Sequence, residues 1–141
     1  MKIKSIDINN VGVLKGKHSI TLNIIPGEPM LIIGANGIGK STIFDALTLV
    51  LYRRVARYSS GRTPLPANQN KMMNEQSRKM EIVLHIQRGE QEYKFRLTQS
   101  KTRGGGFNNM EYFVQEYSSG NWSAWQKLHW NEYKPYGMLQ I

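Results

Sequence analysis

The sequence predicts an α/β fold in which a mixed sheet surrounds one helix, with an antiparallel β-meander beside that sheet. Three observations predict it. A continuous apolar run at residues 30–33 leads directly into a glycine-rich loop. Residues 40–54, which follow, contain no Gly or Pro and are rich in Leu, Ile, Phe and Ala, as in a helix. Three segments between residues 80 and 126 alternate apolar and polar residues, which is typical of half-buried strands.

Two strand-like segments precede the loop, "KIKSIDI" and "HSITLNI". Their apolar positions are Ile3, Ile6, Ile8, Ile20, Leu22 and Ile24. The intervening "NNVGVLKGK" carries two glycines and is predicted to turn the chain. The run "MLII" at 30–33 has no polar residue, which is typical of a strand buried on both faces.

The predicted helix at 40–54 has apolar residues nearly all the way round, so we expect it to lie inside the domain. Residues 55–79 are polar, hold two prolines and show no apolar period, which predicts a loop. In the meander, "MEIVLHIQ" and "EYKFRLT" are joined by "RGEQ", a connection of hairpin length. The glycine-rich "SKTRGGGFNN" then leads into "MEYFVQEY", and "SSGNW" turns again.

The expected organisation is a single domain over residues 1–141, a length that can bury a core without metals or disulfides. Its parts are 1–54 with the glycine loop and first helix, the basic loop 55–79, the meander 80–127, and a tail, 128–141. The tail ends without a stop signal, so we expect a chain that is cut rather than finished.

Composition excludes several classes of protein. The chain has no Cys, and its three His residues show no metal-ligand spacing. No signal peptide or membrane-spanning run is present, so the expected location is cytoplasmic and nucleoid-associated, away from membranes. Nineteen Lys and Arg against ten Asp and Glu give a net charge of +9, which favours polyanions and nucleic acid first. The alternative is a fragment whose acidic part lies elsewhere.

The glycine-rich loop satisfies G-x-x-x-x-G-K-[ST], the phosphate-binding pattern, with Gly34, Gly39, Lys40 and Ser41. Glycines here, including Gly37, let the backbone curl so that its N–H groups form an anion nest at the positive end of the helix. A structural glycine turn is the alternative, but a predicted strand before the loop and a predicted helix after it favour phosphate binding.

The residues after the last glycine have distinct predicted roles. The Lys40 ammonium is suited to the β- and γ-phosphates, and the Ser41 hydroxyl is a hard oxygen ligand for Mg²⁺. Thr42 is expected to donate to the α-phosphate region. No Asn-Lys-x-Asp guanine-reading element is present, which favours ATP over GTP as the nucleotide.

Hydrolysis needs carboxylates that hold the metal and orient the attacking water. None of the ten acids follows a run of four apolar residues, the position that such carboxylates usually occupy. The sequence therefore predicts no catalytic residue within these 141 residues. It leaves open whether the chain alone is an enzyme.

The order "MKIKSIDINNVGVLKG" followed by "PMLIIGANGIGKSTIFDALTLVLY" resembles the N-terminal ATP-binding lobe of SMC-like DNA-repair ATPases of the SbcC type. The phosphate loop with "FDAL" is similar to the SMC, RecF and RecN group of ABC ATPases, and the meander adds support for the SbcC branch. The resemblance covers roughly residues 1–127. It implies a P-loop NTPase fold of ABC-ATPase type.

The resemblance also implies what acts with this lobe. In that family a long coiled coil joins it to a C-terminal lobe that carries the Walker B acids and the signature motif. Two heads dimerise around ATP and Mg²⁺, clamp DNA and work with a nuclease subunit. The chain would then be part of an ATPase that acts in double-strand break repair or DNA end processing.

The resemblance assigns residues as well. The matching phosphate-binding residues are Gly34, Asn36, Gly37, Gly39, Lys40, Ser41 and Thr42. The turn at residues 9–15 would lie near the base, and Gln140 is the candidate for a metal-contacting glutamine, although it comes earlier than in the family. An ordinary structural residue is the alternative for Gln140.

Basic residues outside the phosphate loop are candidates for DNA backbone contact, since mobile cations neutralise phosphates without reading sequence. They are Arg53, Arg54, Arg57, Arg62, Lys71, Lys101 and Arg103. The alternative is a solvated surface. The aromatic residues of 122–136 could stack on bases or complete a core.

Three other functions remain open from the sequence. An SMC-like ATPase of an antiphage or plasmid-defence system would share these motifs. A small-molecule kinase uses the same loop, and the basic segment at 53–79 could imitate its lid. The nucleotide site could also be purely structural in a binding module.

Overall fold

The computed structural model describes residues 1–25, 27–35, 37, 39–53, 55 and 72–137. The strands are β1 (Lys2–Val11), β2 (Leu14–Ile24), β3 (Lys79–Arg88), β4 (Gln91–Ser100), β5 (Glu111–Ser118), β6 (Asn121–Trp122) and β7 (Gln126–Leu128). The helices are α1 (Lys40–Tyr52) and α2 (Trp130–Gly137).

In the described part of the chain the strands form one seven-stranded sheet in the order β2-β1-β3-β4-β5-β6, with β7 also paired to β5. The predicted meander is confirmed as β3, β4 and β5, which pair in sequence. Each pairing between these strands is antiparallel. The mixed sheet expected around the first helix is therefore not seen within the described ranges.

The prediction of a buried strand at residues 30–33 is wrong for this structure. These residues belong to no strand, and Leu31 and Ile33 are 79% and 82% exposed. A parallel strand is buried by strands on both edges and by helices on both faces. No described strand pairs with this run, so its apolar side chains face solvent.

One face of the sheet, the inner face, carries the core. The alternation in β3 places Met80, Ile82, Leu84 and Ile86 there, as predicted, and Phe95 and Leu97 of β4 join them. Helix α1 packs on this face through Ala46, Leu49 and Val50. The expectation that α1 is enclosed on every side is wrong, because Phe44 is 59% exposed.

Helix α2 occupies part of the segment predicted as a tail. The Tyr133 side chain is fully buried, and its hydroxyl donates a 2.6 Å hydrogen bond to the Val50 carbonyl of α1. Its ring meets Phe95 edge-on, with centroids 5.5 Å apart. Tyr133 therefore completes the core rather than offering a surface for bases.

Candidate nucleotide-binding site

The glycine loop has a backbone that only glycine adopts readily. Gly37 and Gly39 have φ angles of 83° and 106°, in the left-handed region. Gly39 is the N-cap of α1, and its carbonyl accepts the 3.1 Å hydrogen bond from the Ile43 N–H. Among the described residues, no side chain caps the start of α1. The first turn of a helix leaves backbone N–H groups without intrahelical acceptors, and such groups are the donors that the predicted anion nest would use.

Lys40, Ser41 and Thr42 lie in very different surroundings although they are consecutive. The Lys40 ammonium reaches back along the loop and donates to the Gly34 carbonyl. Ser41 is exposed, whereas Thr42 is 4% exposed. The loop thus has a cation held against it and a hydroxyl open to solvent at its helix end.

The β1–β2 turn packs against this loop at two points. A Cβ added to Gly12, whose φ is 54°, would lie 2.8 Å from the Thr42 Oγ1. A Cβ added to Gly39 would lie 2.9 Å from a methyl group of Leu14. Both distances are shorter than real carbon contacts. The turn that the resemblance associates with the base is therefore in contact with the start of α1.

Residues 72–77 hold that turn in place, which the sequence did not predict. The Gly12 N–H donates to the Met72 carbonyl at 2.5 Å, and the Asn74 side chain donates to the Gly12 carbonyl at 2.8 Å. Asn10 has a positive φ of 58°, and its side-chain oxygen accepts from the Gly16 N–H at 2.8 Å. The local signal was the asparagine-and-glycine composition of residues 9–12.

A family model described as an AAA domain matches residues 5–134. The chain belongs to this family. It is a family of P-loop ATPase domains that occurs in SMC-like proteins, and it gives the chain a nucleotide-binding, ATPase-like role. No curated protein matches the chain. The family implies a nucleotide ligand and, in most cases, Mg²⁺.

Several other predicted residues of this AAA domain are outside the part of the chain that the structure describes. Asn36 and Gln140 lie outside the described residues, as do Arg54, Arg57, Arg62 and Lys71. Their predicted roles stay predictions.

Three candidates for DNA contact lie within the described residues: two make intramolecular contacts and the third is exposed. Arg53 is the C-cap residue that follows α1, and its guanidinium carbon lies 5.8 Å from the centre of the Trp130 ring. Lys101 donates to the Glu75 carbonyl at 3.3 Å. Arg103 lies exposed in the turn after β4. Lys101 therefore ties the glycine-rich turn to the segment that ends the basic loop.

The described residues show neither a metal-ligand cluster nor a membrane-spanning helix. Among the described residues no three His, Cys, Asp or Glu side chains come together as a metal site would require. Neither described helix combines the length and the apolar character needed to span a bilayer.

Proposed function

We propose that this AAA domain is the ATP- and Mg²⁺-binding N-terminal head segment of an SMC-like ATPase. The whole enzyme would act in DNA double-strand break repair or DNA end processing. The observation that carries the proposal is the phosphate loop itself, with left-handed Gly37 and Gly39 at the start of α1 and Lys40 lying along it. The family match supports the nucleotide, and the resemblance of the motif order to the SbcC type supports the rest.

The proposed chemistry divides between the backbone and three side chains. The N–H groups of the loop and of the first helical turn bind the phosphate oxygens. The Lys40 ammonium leaves the Gly34 carbonyl and pairs with the β- and γ-phosphates, since a phosphate is the stronger partner for a cation. The exposed Ser41 hydroxyl would hold Mg²⁺, which neutralises phosphate charge when bound. Thr42 is buried beneath Gly12 and keeps the turn against the loop.

The head would be completed by a C-terminal lobe and a second copy of the head. The exposed apolar run at 30–33 supports this, because unpaired apolar segments of this kind mark surfaces that another chain segment covers. A strand of the C-terminal lobe paired with this run would restore the buried strand that its composition predicts. ATP would then drive head dimerisation, which would control DNA binding and the nuclease subunit.

Substitution of Lys40 by Ala tests the nucleotide site. We expect ATP affinity, measured by calorimetry with Mg²⁺ present, to fall about 30- to 150-fold, the loss of a charge-assisted hydrogen bond worth about 2–3 kcal/mol. Lys17→Ala is the matched control, because Lys17 is an exposed lysine of β2 outside the glycine-loop motif. Circular dichroism of both variants should match that of the unaltered chain. Unchanged ATP affinity in a folded Lys40→Ala variant would overturn the proposal.

A further inference from the structure

The face of the sheet opposite the helices, the outer face, carries aromatic and basic residues side by side. Strands β3, β4 and β5 are in register, so that each outer-facing residue of β4 has an outer-facing neighbour on either side. We call six residues of the outer face the cation–aromatic face: Lys94, Arg96, Phe113, Tyr117, Trp122 and Trp125. Both described helices pack on the inner face. On the outer face Tyr117 is exposed and the other five residues are half-buried, because they pack on one another.

The two cations of this face lie against aromatic rings. The Arg96 guanidinium carbon is 4.2 Å from the centre of the Phe113 ring and 4.4 Å from that of Trp125. The Lys94 ammonium is 4.4 Å from the centre of the Trp122 ring. Tyr117 meets Trp122 edge-on at 5.3 Å and is 37% exposed. The rings are thus held in fixed positions at the surface with cations among them.

Among the described residues, no carboxylate forms an ion pair with Lys94 or Arg96. The nearby acids Glu92 and Glu111 pair instead with Lys4 at 2.5 Å and Lys127 at 3.5 Å. Within the described ranges neither Lys94 nor Arg96 forms an ion pair, and the buried Arg96 Nε has no hydrogen-bond acceptor. Two cations that form no ion pair within the described ranges and lie beside rings suit an anionic ligand that also has flat apolar faces.

We propose that the cation–aromatic face binds single-stranded nucleic acid. Single strands combine a phosphate backbone with unstacked bases, and proteins bind them through positive surfaces on which bases stack on aromatic side chains. Duplex DNA keeps its bases stacked, so their flat faces are not available to aromatic side chains. The inference rests on the DNA binding of the proposed function. It specifies that the DNA is single-stranded and which face of the sheet binds it.

A cleft at the end of the face extends the proposed site. Its volume is about 380 Å³, and Arg96 and Phe113 line it together with Asn9, Glu81 and Asn109. Amide and carboxylate groups hydrogen-bond to base edges in single-stranded recognition. A base unstacked from the strand would enter this cleft beside the Phe113 ring.

The test is the affinity of the full chain for a fluorescently labelled single strand of about 15 nucleotides, measured by anisotropy. We expect Trp125→Leu to weaken binding about tenfold, the effect of removing one stacked base. Lys94→Gln should lower the slope of log affinity against log salt by about 0.7, the value for one phosphate contact on a single strand. Tyr52→Leu is the matched control, because Tyr52 is an exposed aromatic of α1 and lies outside the face. Tyr52→Leu should leave the affinity unchanged.

Equal binding by the unaltered chain, Trp125→Leu and Lys94→Gln, with all three folded by circular dichroism, would overturn the inference. So would a preference for duplex over the single strand. Lys40→Ala separates this result from the proposed function, since that variant should keep its affinity for the single strand while losing ATP. If the chain bound ATP through Lys40 but did not bind the single strand, the inference would be refuted and the proposed function would stand.

Discussion

At the scale of single residues, the surroundings of His85 and Glu92 on the outer face lower the pKa values of both side chains. Burial lowers the pKa of His85 below its ordinary value of 6.5, and the nearby Lys4 and Lys94 lower it further against the opposing effect of Glu92. The His85 Nε2 lies 3.3 Å from the Glu92 carboxylate, and its ring meets Trp122 edge-on at 5.2 Å. The hydrogen bond from Lys4 is the main reason that the pKa of Glu92 is below its ordinary 4.5.

These shifts predict how stability changes with pH. Because the pKa of His85 is lower in the folded chain, the unfolded chain binds more protons below 6.5, and the free energy of unfolding decreases as pH falls through that value. Glu92 adds a second decrease below 4.5, where its carboxylate is protonated more readily in the unfolded chain. His85→Gln should remove most of the first decrease and keep the second. Urea unfolding midpoints of both chains at a series of pH values test this. The prediction is contradicted if the midpoint falls as much between about pH 7 and about pH 5 in His85→Gln as in the unaltered chain.

At the scale of elements, the contact between the β1–β2 turn and α1 decides the shape of the nucleotide site. Gly12 has both a left-handed backbone and no room for a side chain, because Thr42 lies beneath it. The Met72 carbonyl fixes the same glycine through its N–H. The turn, the start of α1 and residues 72–74 therefore form one packed unit.

Gly12→Ala should destabilise the chain by about 2–4 kcal/mol, of which roughly 1–2 is the left-handed backbone and the rest is overpacking against Thr42. Gly120→Ala is the matched control, since Gly120 has a φ of 82° and open space around it. It should lose only the backbone part, roughly 1–2 kcal/mol. Chemical denaturation measures both losses. If the two variants were equally stable, the turn would not pack on α1 as described.

The elements also show which features of the fold can be predicted from sequence. Alternation predicted β3 and β4 because each strand has one buried face and a neighbour close in sequence. The run at 30–33 was wrongly predicted to be a buried strand. Its apolar pattern indicates burial, but the pattern does not specify which segment would cover it. The Asn74 contact with Gly12 joins residues 62 positions apart through an asparagine side chain, and no local pattern specifies such a pair. The left-handed glycines before α1 were predictable because the motif places glycines and a lysine at fixed spacing at the start of a helix.

At the scale of the whole molecule, one sheet separates two surfaces of different chemistry. The inner face supports α1 and, at its start, the phosphate loop. The outer face presents rings with the cations Lys94 and Arg96 beside them. A nucleotide and a single strand would therefore bind to opposite sides of the sheet, and each ligand should perturb its own side.

The most direct test of the central claim is a map of backbone amide shifts by NMR as Mg-ATP, and separately pyrophosphate, is added to the chain. Our account predicts that both ligands shift the amides of Gly37 and of residues 39–42, because both carry the phosphates that the loop binds. Adenosine, which has no phosphate, should leave those amides unchanged. If neither phosphate ligand moved them, or if the shifts appeared only on the outer face, the phosphate loop would not be the nucleotide site.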